Sequence, residues 1–281
     1  MKIAIASGKG GTGKTTIATN LALFLSECKE SVVYLDCDVE EPNGHLFLKP
    51  VIKERVASSI AIPVMDESKC VACGECVKFC EYRALARLGS TVMLFPELCH
   101  GCGGCTLVCP HNAITEHGRE IGWVESAADG IGFVHGRLNI GEAMSPPLIR
   151  DVLGMAGNDC VNIIDAPPGT SCPVIASIRG ADFIVLVTEP TPFGLNDLGL
   201  AIDMVKELSV PFGVVVNRHE AANKDAEWFC RERGVDILTA IADDRRIAEC
   251  YSRGEMILHG VEDVRKNFEE LWLAIRKRVN K

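Results

Sequence analysis

Along the chain, short apolar runs of strand length alternate with longer stretches of helical period. Lys2–Ser7, Ser31–Asp36, Ile163–Asp165, Ala181–Val187, Phe212–Asn217 and Val235–Ile241 are the apolar runs. They are built from Val, Ile, Leu and Ala, as strands buried on both faces are. The spacing predicts helices at about Lys14–Glu27, Leu148–Met155, Asn196–Leu208, Asp225–Arg233 and Arg245–Arg253. A last helix is marked by Val264, Phe268, Leu271, Trp272 and Ile275, a stripe at i, i+4, i+7, i+8 and i+11 that packs on a sheet. Strand and helix alternating in this way predict an α/β fold, a mostly parallel sheet with helices on both faces. Between Glu40 and Pro63 the pattern is weaker, with short strands predicted at His45–Leu48 and Ser58–Ile62.

From Asp66 to His117 the pattern breaks and then resumes, which marks an insertion. The predicted organisation is a discontinuous domain of residues 1–63 and 118–281 around an inserted domain of residues 64–117. Composition adds one outlier to this picture. With 281 residues, 47% hydrophobic and 24% charged, the chain has ample material for a core, but it carries 14 cysteines. Met1–Ser7 shows no signal-peptide pattern, and no apolar run approaches the roughly 20 residues of a membrane span. The expected compartment is a reducing cytoplasm, where cysteines bind metal more readily than they form disulfides. A net charge of −9 disfavours nucleic acid and anionic membrane as partners.

Gly8-Lys9-Gly10-Gly11-Thr12-Gly13-Lys14-Thr15 fits the phosphate-loop pattern G-x-x-x-x-G-K-[ST], after a predicted strand and before a predicted helix. Its glycines let backbone N–H groups turn toward phosphates, and the helix N-terminus adds partial positive charge. Lys14 is expected to reach the β- and γ-phosphates of ATP, Thr15 to bind Mg²⁺ and Thr16 to touch the α-phosphate.

Eight cysteines form two copies of one run: Cys70, Cys73, Cys76 and Cys80, then Cys99, Cys102, Cys105 and Cys109. The copies keep a constant offset of 29 residues, which also relates Ala84-Leu85 to Ala113-Ile114. The spacing resembles the run of bacterial two-cluster ferredoxins, in which the fourth cysteine of each copy ligates the other cluster. That pattern implies one 4Fe–4S cluster on Cys70, Cys73, Cys76 and Cys109, and another on Cys99, Cys102, Cys105 and Cys80. Pro110 follows the last cysteine as in that family, whereas Glu81 stands where the first copy would have proline. Zinc is the competing metal for C-x-x-C pairs. Of the six other cysteines, none forms a further C-x-x-C. Cys37 is expected to pack inward. Cys172 is expected to be a small buried residue opening a helix, the alternative being a place at an intersubunit metal site near a dimer interface.

Lys9, ahead of the glycine pair, makes the loop resemble the deviant Walker A of the MinD/ParA/Mrp group of P-loop ATPases. That resemblance implies a dimer, homomeric or formed with a related chain, in which Lys9 reaches the partner's nucleotide. Leu35-Asp36-Cys37-Asp38 resembles the group's first switch, implying that Asp38 orients the attacking water and Asp36 supports the metal. Ile163-Ile164-Asp165-Ala166-Pro167-Pro168-Gly169 resembles its Walker B and second switch, implying that Asp165 holds Mg²⁺ through water. Asn217 and Arg218, ending a strand, resemble the adenine-recognition segment. Ala242-Asp243-Asp244-Arg245 resembles the closing adenine loop, although a plain helix cap explains either aspartate as well. The last helix also invites comparison with the membrane-seeking helix of MinD proteins, but its acids favour packing on the sheet. The function these resemblances imply is an ATPase whose turnover drives electrons through two clusters to a redox protein partner. Iron–sulfur cluster assembly or delivery, and a redox-sensing positioning switch, are the alternatives.

Overall fold

A computed structural model describes residues 1–279. Its strands are β1 (Lys2–Ala6), β2 (Val32–Asp36), β3 (Glu54–Met65), β4 (Leu85–Leu88), β5 (Thr91–Leu94), β6 (Ile114–Ala127), β7 (Gly132–Leu138), β8 (Val161–Asp165), β9 (Phe183–Thr188), β10 (Phe212–His219) and β11 (Ile237–Ala242). Nine of them form one sheet in the order β11-β10-β9-β1-β8-β2-β7-β6-β3, while β4 and β5 form a separate hairpin. From β11 to β7 every neighbour is parallel; β6 and β3 close the far edge antiparallel. The expected α/β architecture with a mostly parallel sheet is the one observed.

The helices are α1 (Lys14–Glu27), α2 (His45–Leu48), α3 (Glu75–Phe79), α4 (Gly104–Leu107), α5 (Pro146–Gly154), α6 (Cys172–Ile178), α7 (Pro192–Leu208), α8 (Asp225–Glu232), α9 (Arg245–Ser252), α10 (Ile257–Gly260) and α11 (Val264–Val279), and they lie on both faces of the sheet except α3 and α4, which belong to residues 66–113. On one face α1 lies against β1, β2 and β8, and α11 against β11. The predicted stripe of α11 is buried, from Val264 to Ile275, in the core that α1 shares. On the other face α5, α6 and α7 pack over β7, β1 and β9. None of the described helices is long and apolar enough to cross a membrane.

Residues His45–Leu48, read as a strand, are a helical turn. The Gly44 N–H donates to Asp36 Oδ2 at 2.9 Å, and only Phe47 of the turn is buried. Anchored there and holding a single core side chain, the segment cannot join a ladder. The Ser58–Ile62 run is part of a longer strand, β3, whose partner β6 the pattern did not reveal, nor did it reveal β7. Because β7 pairs with β6 only over Gly122–Ala127, the rest of β6 and β3 project as a two-stranded ribbon. Residues 66–113 hang from its tip, joined by the Asp66 N–H donating to Ala113 O at 2.7 Å.

The 29-residue repeat is also a repeat of backbone. Positive φ angles occur at Ala72 and Gly101, Gly74 and Gly103, and Arg83 and Asn112, each pair at that offset. Gly74 and Gly103 open the matching helices α3 and α4 in the left-handed conformation. Ala84 with Leu85, and Ala113 with Ile114, are all buried.

Candidate functional site

The loop between β1 and α1 opens onto a cavity of about 420 Å³. Ser7, Lys9, Gly10, Gly11, Gly13, Lys14, Thr15 and Thr16 line one end of it. Asp38, Glu41 and Asn43 line the side, and Asn217, Arg218, Asp243, Asp244, Ile247 and Tyr251 the far end. Gly11 and Gly13 hold φ of 81° and 88°, and a Cβ on Gly13 would collide with the Asn217 amide. Gly8 is pressed as closely against the Asp197 backbone, so α7 abuts the loop. No acid occupies the first turn of α1, so its N-terminal charge is left to a ligand. Thr12 Oγ1 and Asn43 Oδ1 are buried and unpartnered among the described residues.

The charges converge on Asp165. Lys14 Nζ donates to Asp165 Oδ1 at 2.8 Å, and the fully buried Tyr34 donates to Oδ2 at 2.8 Å. Burial alone would lower the Lys14 pKa, but Asp165, with Asp38 and Asp36 behind it, raises it instead. Asp36 is pushed up to about 8 by burial and by the neighbouring Asp165 carboxylate. Asp38, chiefly through burial, rises to about 6. The three carboxyl groups lie close enough to disfavour one another's ionised form, and a cation bound beside them would reverse that effect. Thr15, buried at the helix start, lies on the same cavity.

The sequence reading missed several members of this site. Tyr34 stands two residues before Asp36 and therefore shares its face of β2. Glu189 follows β9 and bridges the loop to Arg218 near the end of β10. Arg218 Nη1 donates to its Oε1 at 2.7 Å, and Lys9 Nζ lies 3.9 Å from its Oε2. A carboxylate ending a strand was the available signal. Asn217, expected at the base, donates from Nδ2 to Thr12 O at 2.8 Å, which ties β10 to the phosphate loop. Asp244 caps α9 by accepting from the Arg246 N–H, as the plain reading of that aspartate has it. Cys37 is fully buried. Cys172, expected to be buried, is exposed: it is the first residue of α6, and the first buried side chain of that helix is Val174.

A row of polar residues runs from this site across the sheet. Asp165, Asp36, His135, Glu125 and Arg55 are registered neighbours on β8, β2, β7, β6 and β3. His135 Nε2 faces Glu125 Oε2 at 2.7 Å, and Arg55 Nε lies 3.6 Å from Glu125 Oε1.

The eight run cysteines fall into two groups, one on each of two smaller cavities. Cys70, Cys73, Cys76 and Cys109 line one, beyond Met65 at the ribbon tip. Cys80, Cys99, Cys102 and Cys105 line the other, against Ala61, Pro63 and Glu116 of the ribbon. Burial raises the Cys76 thiol pKa, with Cys73 and Cys109 adding to it; burial raises that of Cys105, with Cys99 and Cys102 adding. The Ala113 N–H donates to Cys109 Sγ at 3.3 Å. Glu81 is exposed, and beside it Tyr82 stacks on His100 at 3.6 Å over the second group. Among the described residues no three His, Cys, Asp or Glu side chains converge on a single ion. Four sulfurs around each cavity are the donor set of a 4Fe–4S cluster, and equally that of a four-cysteine zinc site.

Residues 3–257 match the CobQ/CobB/MinD/ParA nucleotide binding domain. The chain belongs to that family. An uncharacterised protein of Methanocaldococcus jannaschii is 31% identical, over 96% of this chain and 96% of its own length. An iron–sulfur cluster carrier protein of Pyrococcus abyssi is 26% identical, over all of this chain and 86% of its own length. The cell division ATPase MinD of Pyrococcus furiosus superposes with a TM-score of 0.60 at 20% identity, covering 98% of both chains. MinD of Pyrococcus horikoshii, solved with Mg-ADP, gives 0.60 at 19% identity, covering 96% of this chain and 93% of that one. The fold is therefore that of MinD-type nucleotide-binding proteins.

Proposed function

We propose that this chain is a Mg²⁺-dependent ATPase carrying two 4Fe–4S clusters, with nucleotide turnover driving electron transfer to a protein partner. The observation that carries the reading is the grouping of eight cysteines into two crosswise sets on a ribbon continuous with the sheet of the nucleotide site. The clusters belong to residues 64–117, inserted in an ATPase domain of residues 1–63 and 118–281.

On this reading the phosphates lie in the cradle of Gly8, Gly10, Gly11, Thr12 and Gly13, with Thr16 on the α-phosphate. Lys14 leaves Asp165 for the β- and γ-phosphates. Thr15, Asp36 and Asp165 hold Mg²⁺, which when bound neutralises charge developing on the transferred phosphoryl group. Asp38 orients the attacking water. Asn217 and Arg218 border the base. Lys9, released from Glu189, reaches the nucleotide of a second subunit, either another copy or a related chain. Cys70, Cys73, Cys76 and Cys109 hold one cluster, and Cys80, Cys99, Cys102 and Cys105 the other; when bound they supply one-electron chemistry.

Cluster delivery is the second reading, favoured by the similarity to the Pyrococcus abyssi carrier protein along the whole chain. One experiment separates the two. In anaerobically purified protein, ATP turnover that changes cluster re-oxidation while iron stays bound supports electron transfer. Iron leaving for an apo-acceptor on ATP addition supports delivery. ATP turnover that does neither sinks both.

A further inference from the structure

The Cys99–Cys102 loop lies directly on the projecting ribbon. A Cβ at Gly101 would stand 3.0 Å from Ala61 O and 3.3 Å from Ile60 Cβ. Arg119 on β6 is the registered partner of Ile60, so its side chain belongs to the same covered face. Its guanidinium is clamped by Glu142 through both terminal nitrogens, Nη1 at 2.5 Å and Nη2 at 3.3 Å. Glu142 is itself only 6% exposed and accepts from the Met144 N–H at 3.3 Å.

Of the donors that the clamp does not use, one is enclosed. Arg119 Nε is buried and has no hydrogen-bond partner among the described residues. Buried donors are rarely left so, and this one belongs to the ribbon face that the Cys99–Cys102 loop covers. Glu142 is the main group raising the Arg119 pKa against the effect of burial, and Cys99 and Glu97 add to it.

We propose that Arg119 is a positioning residue that tunes the cluster on Cys80, Cys99, Cys102 and Cys105, its Nε–H donating to sulfur at that site while Glu142 fixes its orientation. The inference rests on the cluster reading given above. Adding an electron makes a cluster more negative, so a nearby cation and an N–H donor favour the reduced form and raise the potential. Glu142 offsets part of that effect. It also ties the tuning residue to the ATPase body, because it stands between β7 and α5. That helix packs on both ribbon strands and on α6, which follows the second switch. Asp151 of α5 holds the ribbon directly, accepting from Ser58 Oγ at 2.5 Å.

The test is a redox titration of the full-length, anaerobically reconstituted protein. Electron paramagnetic resonance would follow both clusters, with iron, sulfide and melting temperature recorded for each variant. Arg119→Gln is expected to lower the potential of one cluster, and Arg119→Lys to lower it less. Glu142→Gln is expected to raise it, and the second cluster serves as the unmoved control. Potentials that stay put, or that move the same way in Arg119→Gln and Glu142→Gln with a matching loss of melting temperature, overturn the proposal in favour of a structural clamp. If Arg119→Gln does not fold, the opposite shifts of Arg119→Lys and Glu142→Gln decide alone. A wild-type protein holding no iron or sulfide would remove the underlying reading as well. Clusters present with unmoved potentials would remove this inference only.

Discussion

At the scale of single residues, buried charge is the recurring theme, and each instance is compensated differently. Lys14 and Asp165 satisfy one another, so replacing either strands the other in the core, which is far more costly than losing an exposed pair. His135 has no such full compensation. Burial lowers its pKa below 6.5; Glu125 opposes that shift, while His45 and Arg137 add to it. The folded state thus holds the ring neutral where the unfolded chain, near 6.5, takes up a proton. Its contribution to stability is present above that value and is lost as pH falls through it. Thermal melts between pH 8 and 5.5 should show a smaller acid-side loss for His135→Asn than for the natural chain. An identical slope in both would mean that the ring does not titrate on unfolding.

Among elements, the helices divide by how their burial is achieved. α1 is small or apolar on almost every side and is buried from Lys14 to Ala22 without interruption. α11 instead is amphipathic, with Val264, Phe268, Leu271, Trp272 and Ile275 inward and a basic last turn outward. Its Phe268 is fully buried beside the α1 core. Phe268→Ala should cost about 3–5 kcal/mol, the usual loss for a large aromatic removed from a packed site. Chemical denaturation would read it; a cost below about 1 kcal/mol would mean that α11 is docked loosely and the membrane comparison for this helix regains force. The ribbon is the opposite kind of element. Its strands are long, and β3 is largely exposed along its length. Its order depends on the twelve registered pairs with β6 and on the cysteine loop that lies across it.

For the whole molecule, the central question is how a nucleotide site and a cysteine unit share one chain. The row from Asp165 to Arg55 carries polar side chains from the carboxylates of the nucleotide site to the edge strand β3, whose continuation is the ribbon. Crosswise ligation can be checked directly on that unit. A Cys73→Ser, Cys109→Ser double variant removes two ligands from one set and none from the other. It should keep one cluster and about half the iron of the full complement. Loss of both clusters would mean that Cys109 serves the set containing Cys99, Cys102 and Cys105.

Much of this architecture was legible because it is written in local pattern. Buried parallel strands need continuous apolar runs, a phosphate cradle needs glycine at Gly11 and Gly13, and a duplicated ligand run needs its offset kept. Those demands act on neighbours in the chain, so Lys14 and the eight cysteines could be named from spacing, and Asp165 from a strand-end segment that resembles a family motif. What folding alone decided involves residues far apart in sequence. Nothing near Ile114 announces its pairing with Met65, since that register is set by two strands meeting across the whole cysteine unit. His45–Leu48 became a turn because a distant carboxylate, Asp36, captured the Gly44 N–H, which no local propensity encodes. Glu189 gained its place by bridging Lys9 and Arg218, and Glu142 gained its own by clamping Arg119. The sequence by itself determined which chemistry is present. The tertiary structure decided which groups are buried against it, because desolvation and long-range pairing exist only once the chain has closed on itself.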